Sequence, residues 1–182
     1  MIIIILYSFF NDKPTLIKSP TIANPKYFIT FKLSDNSIVH SMITDSSGEE
    51  KFKALNKSYY RETNCYILMY DITNRNEFDN IKDYYIELIK EYWKNSEKVI
   101  LVGNKTDLEN ERKISYEEGA NLAYLNNYLF IETSCAKNEN VFETFEKVIG
   151  IYRMSEKNNE EKNNEEKIYE ENKNFILKKK KI

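Results

Sequence analysis

An apolar run, Val99 to Val102, stops at Gly103-Asn104-Lys105-Thr106-Asp107, and this Asn-Lys-x-Asp quartet carries groups able to read one base. A carboxylate fixed at Asp107 accepts two parallel hydrogen bonds from the ring N–H and exocyclic amine of guanine. Adenine turns a lone pair toward the same acid, and a desolvated carboxylate left unpaired costs several kcal/mol. In this reading the Lys105 stem packs on the base plane and Asn104 ties the loop down. The same residue types also make an ordinary polar loop in an Asn- and Lys-rich chain, and the quartet alone does not choose between the two.

Two further loops carry matching chemistry. Asp45-Ser46-Ser47-Gly48 follows the apolar stretch Ile38 to Ile43. There an acid could hold a water of a hard Mg²⁺ ion, and a glycine N–H could approach a terminal phosphate. Asp and Gly flanking serines are also common turn residues, and alone the segment reads more readily as a turn. After Tyr128 to Ile131 comes Glu132-Thr133-Ser134-Cys135-Ala136-Lys137, whose backbone N–H groups could donate to a purine oxygen or simply connect a strand to a helix. The order of the three loops, each after an apolar run, raises the ligand reading above the structural one.

The elements that must position these loops are legible as patterns. Tyr27 to Leu33 and Ile38 to Ile43 predict a hairpin through Ser34-Asp35-Asn36. Cys65 to Tyr70, Val99 to Val102 and Tyr128 to Ile131 are continuous apolar runs, as expected of strands covered on both faces. Between them, Phe78, Ile81, Tyr85, Leu88, Ile89 and Tyr92 recur at helical spacing. Ser115 and Glu118 form a capping box ahead of Ala120, Ala123 and Leu125. Val141, Phe142, Phe145, Val148, Ile149 and Tyr152 mark a last amphipathic helix. The sum predicts an α/β domain, a doubly wound, mostly parallel sheet with helices on both faces and a truncated N-terminal part. Ligands of such sheets gather at the carboxyl ends of the strands, where Asn104 to Asp107 falls.

Composition bounds the alternatives. With 182 residues and 41% hydrophobic content the chain supports one domain, expected over residues 1–154, and residues 155–182 read as a charged low-complexity tail. Its 27 Lys+Arg against 29 Asp+Glu give a net charge of −2, so no overall positive field recruits nucleic acid. Cys65 and Cys135 suit reduced, buried thiols in a cytoplasmic protein rather than a disulfide or metal ligand set. The run Ile2 to Leu6, extended to Phe10, is too short to span a bilayer and reads as core. His40, the single histidine, is expected to be an exposed strand residue rather than a general base. Tyr59, Tyr60, Phe28 and Trp93 read as core or ordinary surface.

From about Pro20 to Arg153 the chain resembles the small GTPases, and within them the Rab type. Asp45-Ser46-Ser47-Gly48-Glu49-Glu50-Lys51-Phe52 looks like the family's DTAGQERF segment. Tyr59-Tyr60-Arg61 and Ile67-Leu68-Met69-Tyr70-Asp71-Ile72-Thr73 are similar to the Rab signatures YYR and LVYDIT. The resemblance implies the small G-protein fold, GTP/GDP and Mg²⁺ as ligands, slow GTP hydrolysis as a switch, and a role in vesicle traffic. It implies that Thr21 and Asp45 touch Mg²⁺, that Thr21, Asp45 and Gly48 sense the γ-phosphate, and that Asn104, Lys105 and Asp107 hold guanine. Ser134, Cys135, Ala136 and Lys137 stand where the family's Ser-Ala-Lys loop assists, with the pairing that keeps Ala136-Lys137 preferred. Effectors and regulators are the implied partners, through the switch regions, on cytoplasmic faces of endomembranes.

Three departures bear on mechanism. The family's phosphate loop, Gly-x-x-x-x-Gly-Lys-Ser/Thr, has no counterpart in these residues, and no glycine precedes Gly48. A phosphate cradle needs backbone angles that glycine permits, so nucleotide affinity is expected to fall by many powers of ten. Two origins fit: a shortened gene model, which the short span from Ile5 to Pro20 favours, or a degenerate member acting as a nucleotide-independent interaction module. Glu49 replaces the glutamine that orients attacking water; a carboxylate accepts from water but cannot donate toward the γ-phosphate. No cysteine lies near the carboxyl end for prenylation, and Lys178 to Lys181 offer at most weak, salt-sensitive attraction to anionic membrane.

Overall fold

The computed structural model describes residues 2–9, 26–47, 64–92, 98–154 and 156. It sets six strands in one sheet: β1 (Ile2–Phe9), β2 (Lys26–Lys32), β3 (Ile38–Ser47), β4 (Cys65–Asp71), β5 (Val99–Asn104) and β6 (Leu129–Thr133). The order across the sheet is β2-β3-β1-β4-β5-β6. The three runs read as doubly covered strands are β4, β5 and β6, and they pair in parallel. In β4 and β5 the lack of polar alternation follows from burial on both faces; β6, expected to be covered likewise, lies at the sheet edge, where Leu129 is exposed and Phe130 and Ile131 are half-buried. Tyr66, Leu68, Val99 and Leu101 enter one core, and Cys65, Ile67, Ile100 and Val102 the other.

Helices cover both faces. The first core is closed by α1 (Arg75–Asn80), a π-helical turn (Ile81–Tyr85) and α2 (Ile86–Tyr92), which bury Phe78, Ile81, Tyr85, Ile86 and Ile89. It is completed by α3 (Tyr116–Leu125), which contributes Ala123. The predicted capping box opens α3, the Ser115 hydroxyl accepting from the Glu118 N–H at 3.1 Å. The second core is closed by α4, over 141–154, whose Val148 and Ile149 are fully buried against Phe31, Val39 and Ile67. Burying each such side chain stabilises the fold by roughly 1.5–3 kcal/mol. Gly119, on the second turn of α3, faces Tyr70 and Phe130; a Cβ there would lie 2.7 Å from the Phe130 ring, so the helix can approach the sheet only as glycine.

β1 departs from the parallel expectation. It runs antiparallel to both neighbours, eight residues pairing with β3 (Ile2↔Ser47 to Phe9↔His40) and five with β4 (Ile2↔Met69 to Leu6↔Cys65). β3 to β6 therefore share one direction, and β1 and β2 take the other. A largely apolar strand satisfies its ladder in either direction, and both of its edges are paired here.

The predicted hairpin forms between β2 and β3, with Asn36 in the left-handed region at φ 63°. Its turn is held by Asp35, which accepts from the Ser37 hydroxyl (2.5 Å), the Ser37 N–H (2.9 Å) and the Arg153 guanidinium of α4 (2.8 Å). The hydrogen bonds from Ser37, helped by Arg153, hold the Asp35 carboxyl down at about 2, below its ordinary 3.8. A carboxyl depressed on folding contributes stability that is present above its unfolded value and lost as pH falls through the folded one. We expect an NMR titration of Asp35 to show its midpoint near 2, and Ser37→Ala to raise it toward 3.8. An unchanged midpoint in that variant would assign the shift elsewhere.

Two expectations are corrected. Cys135 is exposed, because it sits past the end of β6 in the connecting loop, whereas Cys65 is buried as expected. His40 is half-buried rather than exposed, since it faces Thr30 across the hairpin and its Nδ1 lies 2.9 Å from the Thr30 hydroxyl.

Candidate functional site

Strand register builds the site. Asp71 of β4 is the cross-strand partner of Asn104 of β5, and Asn104 is the partner of Thr133 of β6, so three polar strand ends line up along one carboxyl edge. The side chains then lock together. Asn104 Oδ1 accepts from the Thr133 hydroxyl at 3.1 Å and from the Cys135 N–H at 3.3 Å, and the Ile72 N–H donates to the Asn104 carbonyl at 3.0 Å. Asn104 thus ties three strand ends to one another.

Lys105 adopts φ 74°, ψ 40°, a left-handed conformation that costs a non-glycine residue on the order of 1–3 kcal/mol. It lets the chain turn sharply off β5 into the 3-10 turn Thr106–Glu111, closed by the Leu108 N–H donating to the Lys105 carbonyl at 2.9 Å. The ammonium group lies 2.5 Å from Asp71 Oδ2. Asp71 also accepts from the Thr73 N–H (2.8 Å) and hydroxyl (2.7 Å). Burial pushes the Asp71 carboxyl up, but the hydrogen bonds from Lys105 and Thr73 outweigh it and leave it below its ordinary value. The same bond to Asp71 raises Lys105. A strained, charged residue held at both ends is the arrangement needed to keep an aliphatic stem in a fixed place.

Asp107 is half-buried on the 3-10 turn, and its Oδ1 accepts from the buried Ser134 hydroxyl at 2.5 Å. Ser134 Oγ in turn accepts from the Lys137 N–H at 3.1 Å. Asp107 Oδ1 is thereby fixed toward β6. The sequence left open how Ser134 to Lys137 meet the quartet. Ser134 and Cys135 contact it directly, the Lys137 N–H reaches Ser134 and not the quartet, and Ala136 is exposed in the same turn.

Arg112 closes the far end of the turn. Its guanidinium forks onto Glu132 (Nη1 to Oε1 2.7 Å, Nη2 to Oε2 2.9 Å), reaches Glu109 (Nε to Oε1 2.8 Å) and donates to the Ile114 carbonyl (3.0 Å). Hydrogen bonds to Glu132 and Glu109 raise Arg112 and keep it protonated. Asp71, Thr133, Arg112 and Glu132 were not singled out from the sequence as site residues. Asp71 ends an apolar run and was visible as a polar stop, but the roles of the others depend on cross-strand register.

The remaining expected residues are less described. Asp45 lies in β3 opposite Ile4, while Thr21, Gly48 and Glu49 lie outside the described residues. Among the described residues no group of three or more His, Cys, Asp or Glu could hold a metal ion. Nor, among them, is any helix long and apolar enough to cross a membrane.

Comparison with known proteins bears on the family of the chain. The sequence profile of the Ras family matches residues 3–153. The Ras-related protein RABA6a of Arabidopsis thaliana is 38% identical over 146 residues, 80% of this chain and 62% of that protein. The Ras-related protein Rab-3C of Bos taurus is 42% identical over 116 residues, covering 63% and 51% of the two chains. Human Ras-related protein Rab-3A is 40% identical over 116 residues, covering 63% and 52%. The chain therefore spans between about half and just under two thirds of the length of these relatives.

Proposed function

Because this chain belongs to the Ras family, we propose that it is a Rab-type guanine-nucleotide switch acting in vesicle traffic. The observation that carries the reading is the locked edge formed by Asn104, Lys105, Asp107 and Ser134, a set of groups suited to hold guanine and reject adenine. Asp107 supplies the carboxylate for the ring N–H and amine, Lys105 the stem for the base plane, and the loop Ser134 to Lys137 backbone donors for the purine oxygen. GTP bound in such a family member supplies the switch through its γ-phosphate and Mg²⁺, toward which Thr21, Asp45 and Gly48 are assigned by resemblance. Glu49 accepts a hydrogen bond from water but donates none, so slow hydrolysis belongs to this reading. The partner surface is the outer edge of the sheet, where β2 exposes Tyr27, Phe28 and Ile29 and β3 exposes Ile38. Residues 1–154 form the switch domain in this proposal, and 155–182 a charged tail with weak affinity for anionic membrane.

One observation favours a second reading, an interaction module that recognises the base without a firm hold on phosphate. Phosphate loops follow a strand at its carboxyl end and lead into a helix. β1 fills the slot beside β4 in the reverse direction, so the chain leaves it at Phe9, near the edge where β4 begins and away from Asn104. Chemical-shift titration of the chain with guanosine, GDP and ADP separates the two. Under the switch reading GDP binds at least ~10⁴-fold more tightly than guanosine; under the second the two lie within about tenfold of one another. If no guanine compound perturbs residues 104–107, both fail.

A further inference from the structure

The Arg112–Glu132 pair lies away from the quartet, yet it connects the two loops that meet at Asp107. Arg112 stands at the carboxyl end of the turn that carries Asp107, and Glu132 stands two residues before Ser134, the residue that holds Asp107 from the other side. The fork is bidentate and largely shielded, with the Arg112 and Glu132 side chains 17% and 12% exposed. Its alignment is fixed from beneath. A Cβ on Gly103 would sit 3.3 Å from Glu132 Cγ, so the glycine immediately before Asn104 leaves the room in which the Glu132 stem lies. Beyond Glu132, its own carbonyl accepts from Asn140 Nδ2 at 2.8 Å, closing the Ser134 to Lys137 loop on its base. By contrast, the arm from Arg112 to Glu109 spans one turn at the surface, with Glu109 64% exposed.

We infer that Arg112 is a positioning residue for base selection: by clamping Glu132 it sets the distance between the Asp107 turn and the Ser134 loop, and so the angle at which the Asp107 carboxylate meets a purine. This rests on the guanine reading above. A bidentate acceptor tolerates little rotation, because both hydrogen bonds must align at once. Lysine cannot reproduce a planar fork, so the pair depends on arginine specifically.

The test is the ratio of affinities for GDP and IDP, which lacks the exocyclic amine, measured by chemical-shift titration of the full chain. The unsubstituted chain is expected to prefer GDP by at least about tenfold, the worth of one charge-assisted bond. Arg112→Gln and Glu132→Gln are each expected to reduce that preference to below about threefold, Arg112→Lys to leave an intermediate value, and Glu109→Gln to leave it unchanged. A clamp that only stabilises the fold lowers the melting temperature of these variants and keeps the ratio. A retained preference in either Arg112→Lys or Glu132→Gln overturns the inference alone, and it remains readable should Arg112→Gln not fold. Equal affinity for GDP and IDP in the unsubstituted chain overturns the guanine reading, and the inference with it.

Discussion

Replacing Asp107 with alanine is expected to lower the affinity for GDP at least ~100-fold, because two charge-assisted hydrogen bonds worth roughly 1.5–3 kcal/mol each are lost together. The fold should survive the change. Asp107 is half-buried on a surface turn, and the Ser134 hydroxyl it releases still accepts from the Lys137 N–H. The loss should therefore appear in calorimetric or chemical-shift titration with GDP, while thermal unfolding moves by only a few degrees. Binding weakened less than about threefold would mean that Asp107 does not face the base. The effect is specific in another way: the variant should lose its preference for guanosine over adenosine, since the carboxylate is the group that adenine cannot satisfy.

Phe78→Ala should produce the largest loss of stability, about 3–5 kcal/mol, read as a shift in the urea midpoint with the slope unchanged. Phe78 is 2% exposed and sits where α1 meets β4, its ring edge-on to Tyr70 at 4.9 Å between centroids, with the Arg75 guanidinium 5.6 Å from its centroid. Truncation leaves a cavity that a short helix tied at both ends cannot close. Its amino end is anchored because Asn74 caps the helix and Glu77 accepts from the Asp71 N–H at 3.2 Å. Asp71 is the residue that holds Lys105, so the helix carrying Phe78 is linked to the Asn104–Asp107 edge through the Glu77 and Asp71 carboxylates in turn. A destabilisation below about 1 kcal/mol would show that the helix relaxes freely and that this coupling is slack.

Much of this architecture was legible because burial on two faces leaves a sharp trace. β4 and β5 read directly from their unbroken apolar runs, the hairpin from Ser34-Asp35-Asn36, and the start of α3 from Ser115 and Glu118. What could not be read was direction and register. Ile2 to Phe9 is apolar enough to pair either way, and nothing in its composition specifies the antiparallel ladders it makes with β3 and β4. The same limit governs the site. Asn104, Lys105 and Asp107 fall within four consecutive residues and are legible together, whereas Asp71, Thr133 and Glu132 are brought to them by sheet pairing across dozens of intervening residues. Cys135 is exposed because the apolar run before it ends at Ile131 and β6 at Thr133, so it falls in the polar connection beyond both.

The π-helical turn at Ile81–Tyr85 has a bearing on how this chain lines up with its kin. Such a turn holds one residue more than the α-helical turns on either side, so the apolar stripe skips a step: Ile81 is followed by the adjacent pair Tyr85 and Ile86, both buried, and then by Ile89. Removing one of the exposed residues Lys82 or Asp83 would convert the segment to a uniform helix while keeping an inward face on both halves. A relative whose helix is uniform would thus align with a single-position gap here, and that gap would mark a change of winding rather than a break in ancestry.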